Sequence, residues 1–238
     1  PRLLITAPYG VTSVEKRAVV EAGLGAGGRE VNIIPQPLAA AIGIDLPINT
    51  PTGNMIICIG AGTTQAAVIS MTGIVSAETN RTAGIKLDEA IVNYVRKKFG
   101  LIIGQPTAEQ LKLNIGAATP TQEEKTMEIQ GQDQVTGLPK PASLSTNEIV
   151  EALQPPLEEI VATIRRVLEK TPPELISDII DRGVALCGGT SLLRGLDKYL
   201  TVALGIPAYV VENPVTCTVE GAAKGFSILE VILRNQGR

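Results

Sequence analysis

Two glycine-bearing turns carry the chemistry this sequence offers most plainly. The first, Gly60-Ala61-Gly62-Thr63-Thr64, joins two apolar, strand-like runs at 55–59 and 65–70. Glycines let such a turn adopt positive φ and bring backbone N–H groups close to a phosphate, and the two threonine hydroxyls add donors. The same residues also suit a plain tight hairpin, so this motif alone leaves both readings open. The second, Gly188-Gly189-Thr190-Ser191, follows an apolar strand at 184–187 and leads into a helical pattern over 191–204. A junction of that kind presents N–H groups and the positive end of a helix dipole to an anion, or a flat glycine backbone to a nucleoside. Glu109 and Lys112 lie between the two turns, three residues apart and so on one helix face, where a solvated ion pair is the ordinary reading.

Hydrophobic periodicity and turn residues predict the elements that must position these turns. A buried strand at 3–7 ends at Pro8-Tyr9-Gly10. A helix over 13–24 carries Val14, Ala18 and Ala22 on one face and stops at Gly25-Ala26-Gly27-Gly28. A short strand at 31–34 precedes an Ala-rich helix at 38–42, with Pro37 suited to its first turn. Residues 45–54, rich in Pro, Thr, Asn and Gly, read as a hinge. A further strand spans 73–79, and a helix over 87–99 has Ile91, Tyr94 and Val95 as its stripe and Arg96-Lys97-Lys98 at its end. From 100 to 170 the pattern predicts an inserted lobe with a helix at 107–115, a hairpin around 131–139 and two helices at 146–153 and 156–168. Ser145 and Glu148 are spaced there as a capping box. The α/β pattern then resumes: helix 175–180, strand 184–187, helix 191–204, strand 208–211 and a closing helix over 214–233. Phe226, Ile228, Leu229, Ile232 and Leu233, followed by Arg234 and Arg238, read as a core face, with a weak amphipathic membrane helix as the alternative.

The bulk properties exclude several classes. At 238 residues and 44% hydrophobic content the chain can bury a sizeable core. Its 21 basic and 24 acidic residues are mixed along the chain for a net charge of −3, which argues against nucleic acid. There is no histidine, and the three cysteines, Cys58, Cys187 and Cys217, form no CxxC pair, so no zinc site is expected. Their apolar contexts suit buried thiols in a reducing cytoplasm. No apolar run approaches the roughly 18–20 residues that span a bilayer. The chain opens on Pro1 and enters the strand-like Leu3-Leu4-Ile5 at once, which reads as a piece of a longer protein.

Two such turns flanking an inserted lobe resemble the ATPase pattern shared by actin, heat-shock chaperones and sugar kinases. Within that group the sequence resembles the MreB family of bacterial rod-shape-determining proteins over nearly its whole length. The resemblance is carried by Gly10-Val11-Thr12 with Glu15-Lys16-Arg17, Pro37-Leu38-Ala39-Ala40-Ala41-Ile42-Gly43 and Pro51-Thr52-Gly53-Asn54-Met55. It continues in Leu87-Asp88-Glu89-Ala90-Ile91, Glu124-Lys125-Thr126-Met127, Val135-Thr136-Gly137-Leu138-Pro139, Lys170-Thr171-Pro172-Pro173-Glu174 and Leu192-Leu193-Arg194-Gly195-Leu196.

That resemblance implies an α/β, actin-like ATPase fold of the ribonuclease H-like kind, with mixed sheets flanked by helices, a small inserted α+β subdomain and an incomplete first lobe. Residues 1–50 would close the first lobe, 51–92 and 171–212 would form the second-lobe core, 93–170 the inserted subdomain, and 213–238 a helix packing back on the first lobe. Gly60, Ala61, Gly62 and Thr63 would hold the β- and γ-phosphates of ATP. Glu109 and Lys112 would reach the ribose and adenine, and Gly188, Gly189, Thr190 and Ser191 the adenosine side. Gln36, Thr63 and Thr64 are the expected catalytic residues, Gln36 replacing the glutamate that orients the attacking water.

Other departures bear on the metal. Cys58 stands where the family has an aspartate that holds Mg²⁺-bound water, Ala61 replaces a glycine, and Gln65 and Ile85 replace acidic residues. No protein metal ligand is therefore expected, and Mg²⁺ would be carried by the nucleotide. The implied function is an ATP-binding cytoskeletal filament subunit that self-associates and determines cell shape. It would lie in the cytoplasm at the inner membrane face, beside membrane-associated wall-synthesis proteins, with weakened hydrolysis. A non-hydrolysing scaffold that modulates filaments is the alternative, and a sugar kinase or chaperone a more distant one.

Overall fold

The computed structural model describes residues 1–236; Arg238 lies outside the described residues. The chain begins with a right-sized βαβ unit: β1 (Arg2–Ala7) and β2 (Glu30–Pro35) pair in parallel, connected by α1 (Ser13–Gly25). A capping box starts α1, where Thr12 N–H donates to Glu15 Oε2 at 2.7 Å and Glu15 N–H donates to Thr12 Oγ1 at 3.2 Å. The face expected from Val14, Ala18 and Ala22 points outward, with Val14 75% exposed. The helix instead turns Val19, Val20 and Gly23 inward. A Cβ at Gly23 would lie 2.9 Å from Val31 Cγ1, so this glycine decides which face can close on β2.

Next come α2 (Gln36–Gly43), buried from Pro37 onward, and the antiparallel run β3 (Asn54–Ile59), β4 (Thr64–Ser70) and β5 (Gly73–Asn80). Then follow α3 (Gly84–Phe99), β6 (Leu101–Ile102), α4 (Gln105–Ile115), β7 (Thr126–Asp133) and β8 (Pro139–Ser145). The hairpin of β7 and β8 is longer than its predicted core, and β6 extends it to a separate three-stranded antiparallel sheet.

The two helices predicted at 146–153 and 156–168 are one, α5 (Thr146–Glu169), which carries Pro155 and Pro156 in its interior. Proline there removes a backbone hydrogen bond and costs about 3 kcal/mol. The stripe of Ile149, Leu153, Leu157, Ile160, Ile164 and Val167, each fully buried, runs straight through the prolines and outweighs that cost. The start of α5 is as expected, with Ser145 N–H donating to Glu148 Oε2 at 2.8 Å.

The remainder is α6 (Pro173–Arg182), β9 (Val184–Cys187), a 3₁₀ turn at Gly189–Leu192, α7 (Leu196–Leu204), β10 (Ala208–Val210), α8 (Cys217–Gly225), a second 3₁₀ turn at Phe226–Ile228 and α9 (Leu229–Gln236). The closing helix is thus broken at Gly225 rather than continuous. Of the expected core face, Leu229 and Ile232 are buried, Ile232 joining the core with Ile34 and Ile69, and Ile228 packs against that core, whereas Phe226 and Leu233 are exposed. Among the described residues no helix is long and apolar enough to cross a membrane.

The main sheet has strand order β10-β9-β3-β4-β5, with β10, β9 and β3 parallel and β3, β4 and β5 antiparallel. Every residue of β3 is buried, because helices cover both faces. Met55, Ile57 and Ile59 face a core shared with α3, α4, α5 and α7; Ile56 and Cys58 face a second core built from α2, α8 and α9. The second core closes through bare backbone: a Cβ on Gly43 would lie 1.9 Å from Cys217 O, and one on Gly221 would lie 1.7 Å from Ala39 O. Gly221→Ala is therefore expected to push α8 from α2 and cost roughly 2–3 kcal/mol, seen as a lower midpoint in urea unfolding.

Candidate nucleotide site

The β3–β4 turn closes when Gly60 N–H donates to Thr63 O at 3.0 Å. Neither Gly60 nor Gly62 takes positive φ, so Ala61 fits between them without strain. Nor does packing demand a glycine at 62, since a Cβ there would have nothing within 4 Å. The second turn does need its glycine. Gly188 has φ +89°, and a Cβ on it would lie 2.3 Å from Ile59 O, at the foot of the first turn.

The two turns interlock. Thr190 Oγ1 donates to Gly60 O at 2.8 Å, and the start of α3 grips the same segment, with Gly84 N–H donating to Gly60 O at 3.1 Å and Ile85 N–H to Ala61 O at 2.8 Å. Gly84 is closely fitted too: a Cβ on it would lie 2.7 Å from Thr190 Oγ1. The expected helix over 191–204 does not begin at the second turn. Gly189–Leu192 forms a 3₁₀ turn, Gly195 takes φ +75°, and α7 starts only at Leu196. The N-terminus of α7 is thereby displaced from the glycines, and the turn offers backbone rather than a full helix dipole.

Beside the interlock opens a cleft of ≈ 660 Å³, within the usual range for small-molecule sites. Of the residues predicted to bind, Ala61, Glu109, Lys112, Gly189 and Thr190 line it. Ser191 is buried and donates its hydroxyl to Gly188 O at 2.6 Å, bracing the second turn from behind. Thr64 is fully buried and donates to Thr82 O at 2.7 Å, so it holds the hairpin to the turn before α3 and offers no hydroxyl to a ligand.

Gln36 and Gln65 form a bridge of amides. Gln65 Nε2 donates to Gln36 Oε1 and, at 3.5 Å, to Thr63 Oγ1, while Gln65 Oε1 accepts from Tyr9 N–H at 2.8 Å. This one buried side chain ties β4 to the loop after β1, to the first residue of α2 and to the hairpin turn. Its role as a tie was hidden in the sequence, where Gln65 registers only as a missing acid.

Cys58 and Cys187 are partners in the β3–β9 register, and their Sγ atoms lie 3.0 Å apart; Cys217 is buried in the same core. A hydrogen bond with Cys217 lowers the Cys187 pKa, but the Cys58 thiol and burial together outweigh it and hold the Cys187 thiol far above its usual value, so it stays protonated. A Cys58 thiol packed in this way offers no hard oxygen to Mg²⁺. Among the described residues no group of three or more His, Cys, Asp and Glu side chains is arranged to hold a metal.

Asp88, Lys125, Leu193 and Arg194 also line the cleft and had not been singled out as site residues. Asp88 was the legible one, because it interrupts the fully buried stripe of Leu87 and Ile91 on α3 with a charge. Burial pushes its carboxyl above the usual range, and the Lys112 ammonium 2.7 Å away pulls in the opposite direction.

A mixed sheet with helices on both faces and a cleft at two interlocked glycine turns defines the chain as an actin-like protein. The MreB/Mbl protein family matches residues 1–233, and the chain belongs to that family. It is 47% identical over 231 residues to the cell shape-determining protein MreB of Escherichia coli strain K12, covering 97% of this chain and 67% of that protein. MreB5 of Spiroplasma citri superimposes with a TM-score of 0.93 in its AMPPNP-bound structure and 0.92 in its ADP-bound structure. It is 35% identical, and the two alignments cover 99% and 98% of this chain and 71% of MreB5. A MamK double helical filament shares the fold at 22% identity and a TM-score of 0.77, covering 94% of this chain and 68% of that one.

The Thr190–Gly60 bond has a direct test. Thr190→Val is expected to cost about 1 kcal/mol of stability by urea unfolding, while Thr190→Ser, which keeps the hydroxyl, stays close to the parent.

Proposed function

We propose that this chain forms the ATP-binding cleft of an actin-like cytoskeletal subunit that acts in determining cell shape. The observation that carries the reading is the interlock of the two glycine turns on one cleft, in a chain of a family whose relatives include a cell shape-determining protein and a protein solved with ADP and AMPPNP. In this reading the backbone of Ala61 and Gly62 with the Thr63 hydroxyl holds the β- and γ-phosphates, and Gly60, whose N–H closes the turn on Thr63 O, shapes the loop around them. Glu109 and Lys112 contact the ribose and adenine, and Gly188 to Ser191 form the wall of the adenosine side. Subunits associate end to end through two different surfaces, which gives open filaments, on the cytoplasmic face beside membrane-associated wall-synthesis proteins. The organisation into lobes follows the family: 1–50 with 213–238, 51–92 with 171–212, and the insertion 93–170.

Binding and turnover separate in this chain. Backbone donors suffice to hold phosphates. Hydrolysis asks more: a side chain to orient water and a counter-ion for the developing charge. Gln36 can orient a water through its amide, but its Oε1 is engaged by Gln65. No carboxylate stands at the hairpin turn, so Mg²⁺ would be held by the nucleotide's own phosphates. This favours slow turnover, with a non-hydrolysing filament scaffold as the second reading.

Isothermal titration of the full-length protein should show binding of ATP and ADP, with filaments pelleting on ATP addition and phosphate released slowly. Absence of nucleotide affinity would sink the cleft assignment. Phosphate release as fast as in a relative with the aspartate in place would sink the account of turnover.

A further inference from the structure

The ion pair of Asp88 on α3 and Lys112 on α4 is the one charged pair that lines the cleft with both side chains nearly buried, at 5% and 10% exposure among the described residues. Lys112 Nζ lies 2.7 Å from Asp88 Oδ1 and donates to Gly84 O at 3.1 Å. Gly84 is also the residue whose N–H holds Gly60 O in the hairpin turn. A long lysine side chain ordinarily samples many rotamers. Here two neighbours fix its ammonium, and the geometry at Oδ1 is that of an ionic contact rather than a directed hydrogen bond. An ammonium has three donors, so Lys112 retains donor capacity for a ligand after meeting Gly84 O.

We infer that Asp88 is a positioning residue for the nucleoside end of the cleft: it fixes Lys112 against Gly84 and cancels its charge there. Resting on the ATP-site reading above, this assigns the two ends of the cleft different electrostatics. The hairpin end presents backbone donors suited to phosphate. At the α3–α4 junction Lys112 becomes a fixed donor whose charge is balanced, which suits the uncharged ribose and base and removes one cation that would otherwise draw a triphosphate in reversed. Without Asp88, Lys112 would be an unpaired cation beside Lys125 and Arg194 in a partly desolvated cleft, mobile and attractive to phosphate.

The test compares two probes, ATP and inorganic tripolyphosphate, by isothermal titration of the full-length protein. Asp88→Asn is expected to weaken ATP roughly tenfold, the scale of one charge-assisted contact, while tripolyphosphate binding is retained or strengthened. Lys112→Met should weaken ATP comparably, and the double variant should be no weaker than Lys112→Met alone, because Asp88 acts through Lys112. Unchanged ATP affinity in Asp88→Asn, simple addition of the two losses, or a parallel loss of tripolyphosphate binding overturns the inference. Should Asp88→Asn not fold, thermal melting of the double variant decides. Freed of an unpaired buried carboxylate it melts above Lys112→Met, and melting below it refutes the pairing. If the parent protein binds neither probe, the ATP-site reading itself fails; if it binds ATP and only the variants disagree, Asp88 alone is wrongly assigned.

Discussion

The site rests on the parallel pairing of β3 with β9, in which Met55, Ile56, Ile57 and Cys58 stand opposite Val184, Ala185, Leu186 and Cys187. Strands paired in parallel end on the same side of a sheet. The turns that follow, Gly60–Thr64 and Gly188–Ser191, therefore emerge side by side although more than a hundred residues separate them in sequence. A shift of one residue in this register would move every β9 side chain to the opposite face and break the match between the two cores. It would also misplace Gly188, whose bare Cα is what permits the approach to Ile59 O. Burial on both faces of the sheet thus fixes the relative position of the turns to within hydrogen-bonding distance.

The same alternation explains the cysteines. Position 58 points into the second core with Ile56, and position 187 does so with Ala185. Cys58 therefore meets Cys187 at the junction between the main sheet and the pair α2 and α8. That junction is closed by glycine backbone on one side, at Gly43 and Gly221, and by the Gln65 amide on the other. Both devices depend on direct contact. Rotation of α2 against the sheet would separate Gln36 from Gln65, so the amide bridge holds only while that packing does.

Much of this was legible in the sequence. Period-two and period-3.6 patterns located nearly every strand and helix, and the two glycine turns were identifiable from composition and flanking strands. What escaped followed from tertiary packing. The prolines at 155 and 156 spelled a helix break, yet a buried stripe on both sides kept α5 continuous. Val14, Ala18 and Ala22 formed a plausible apolar face, but steric access at Gly23 selected another. Thr64 looked like a second hydroxyl for phosphate until strand alternation turned it into the protein. The partnership of Asp88 with Lys112 joins two helices and has no local signature, apart from a charge placed in an apolar stripe.

Ala61 shows that a turn of this kind can hold its geometry with a side chain at its middle position. A phosphate turn is usually explained by the freedom of glycine to take positive φ. Here Gly60, Ala61 and Gly62 all avoid that region, and the turn is held by the Gly60–Thr63 bond inside it and by Thr190, Gly84 and Ile85 outside it. Because external bonds impose the conformation, the turn tolerates a methyl group where its backbone needs no special freedom. Gly188 tolerates none, since a neighbouring strand occupies the space. The glycines of the two turns thus differ in kind: neither backbone angle nor packing demands those at 60 and 62, whereas both demand the one at 188.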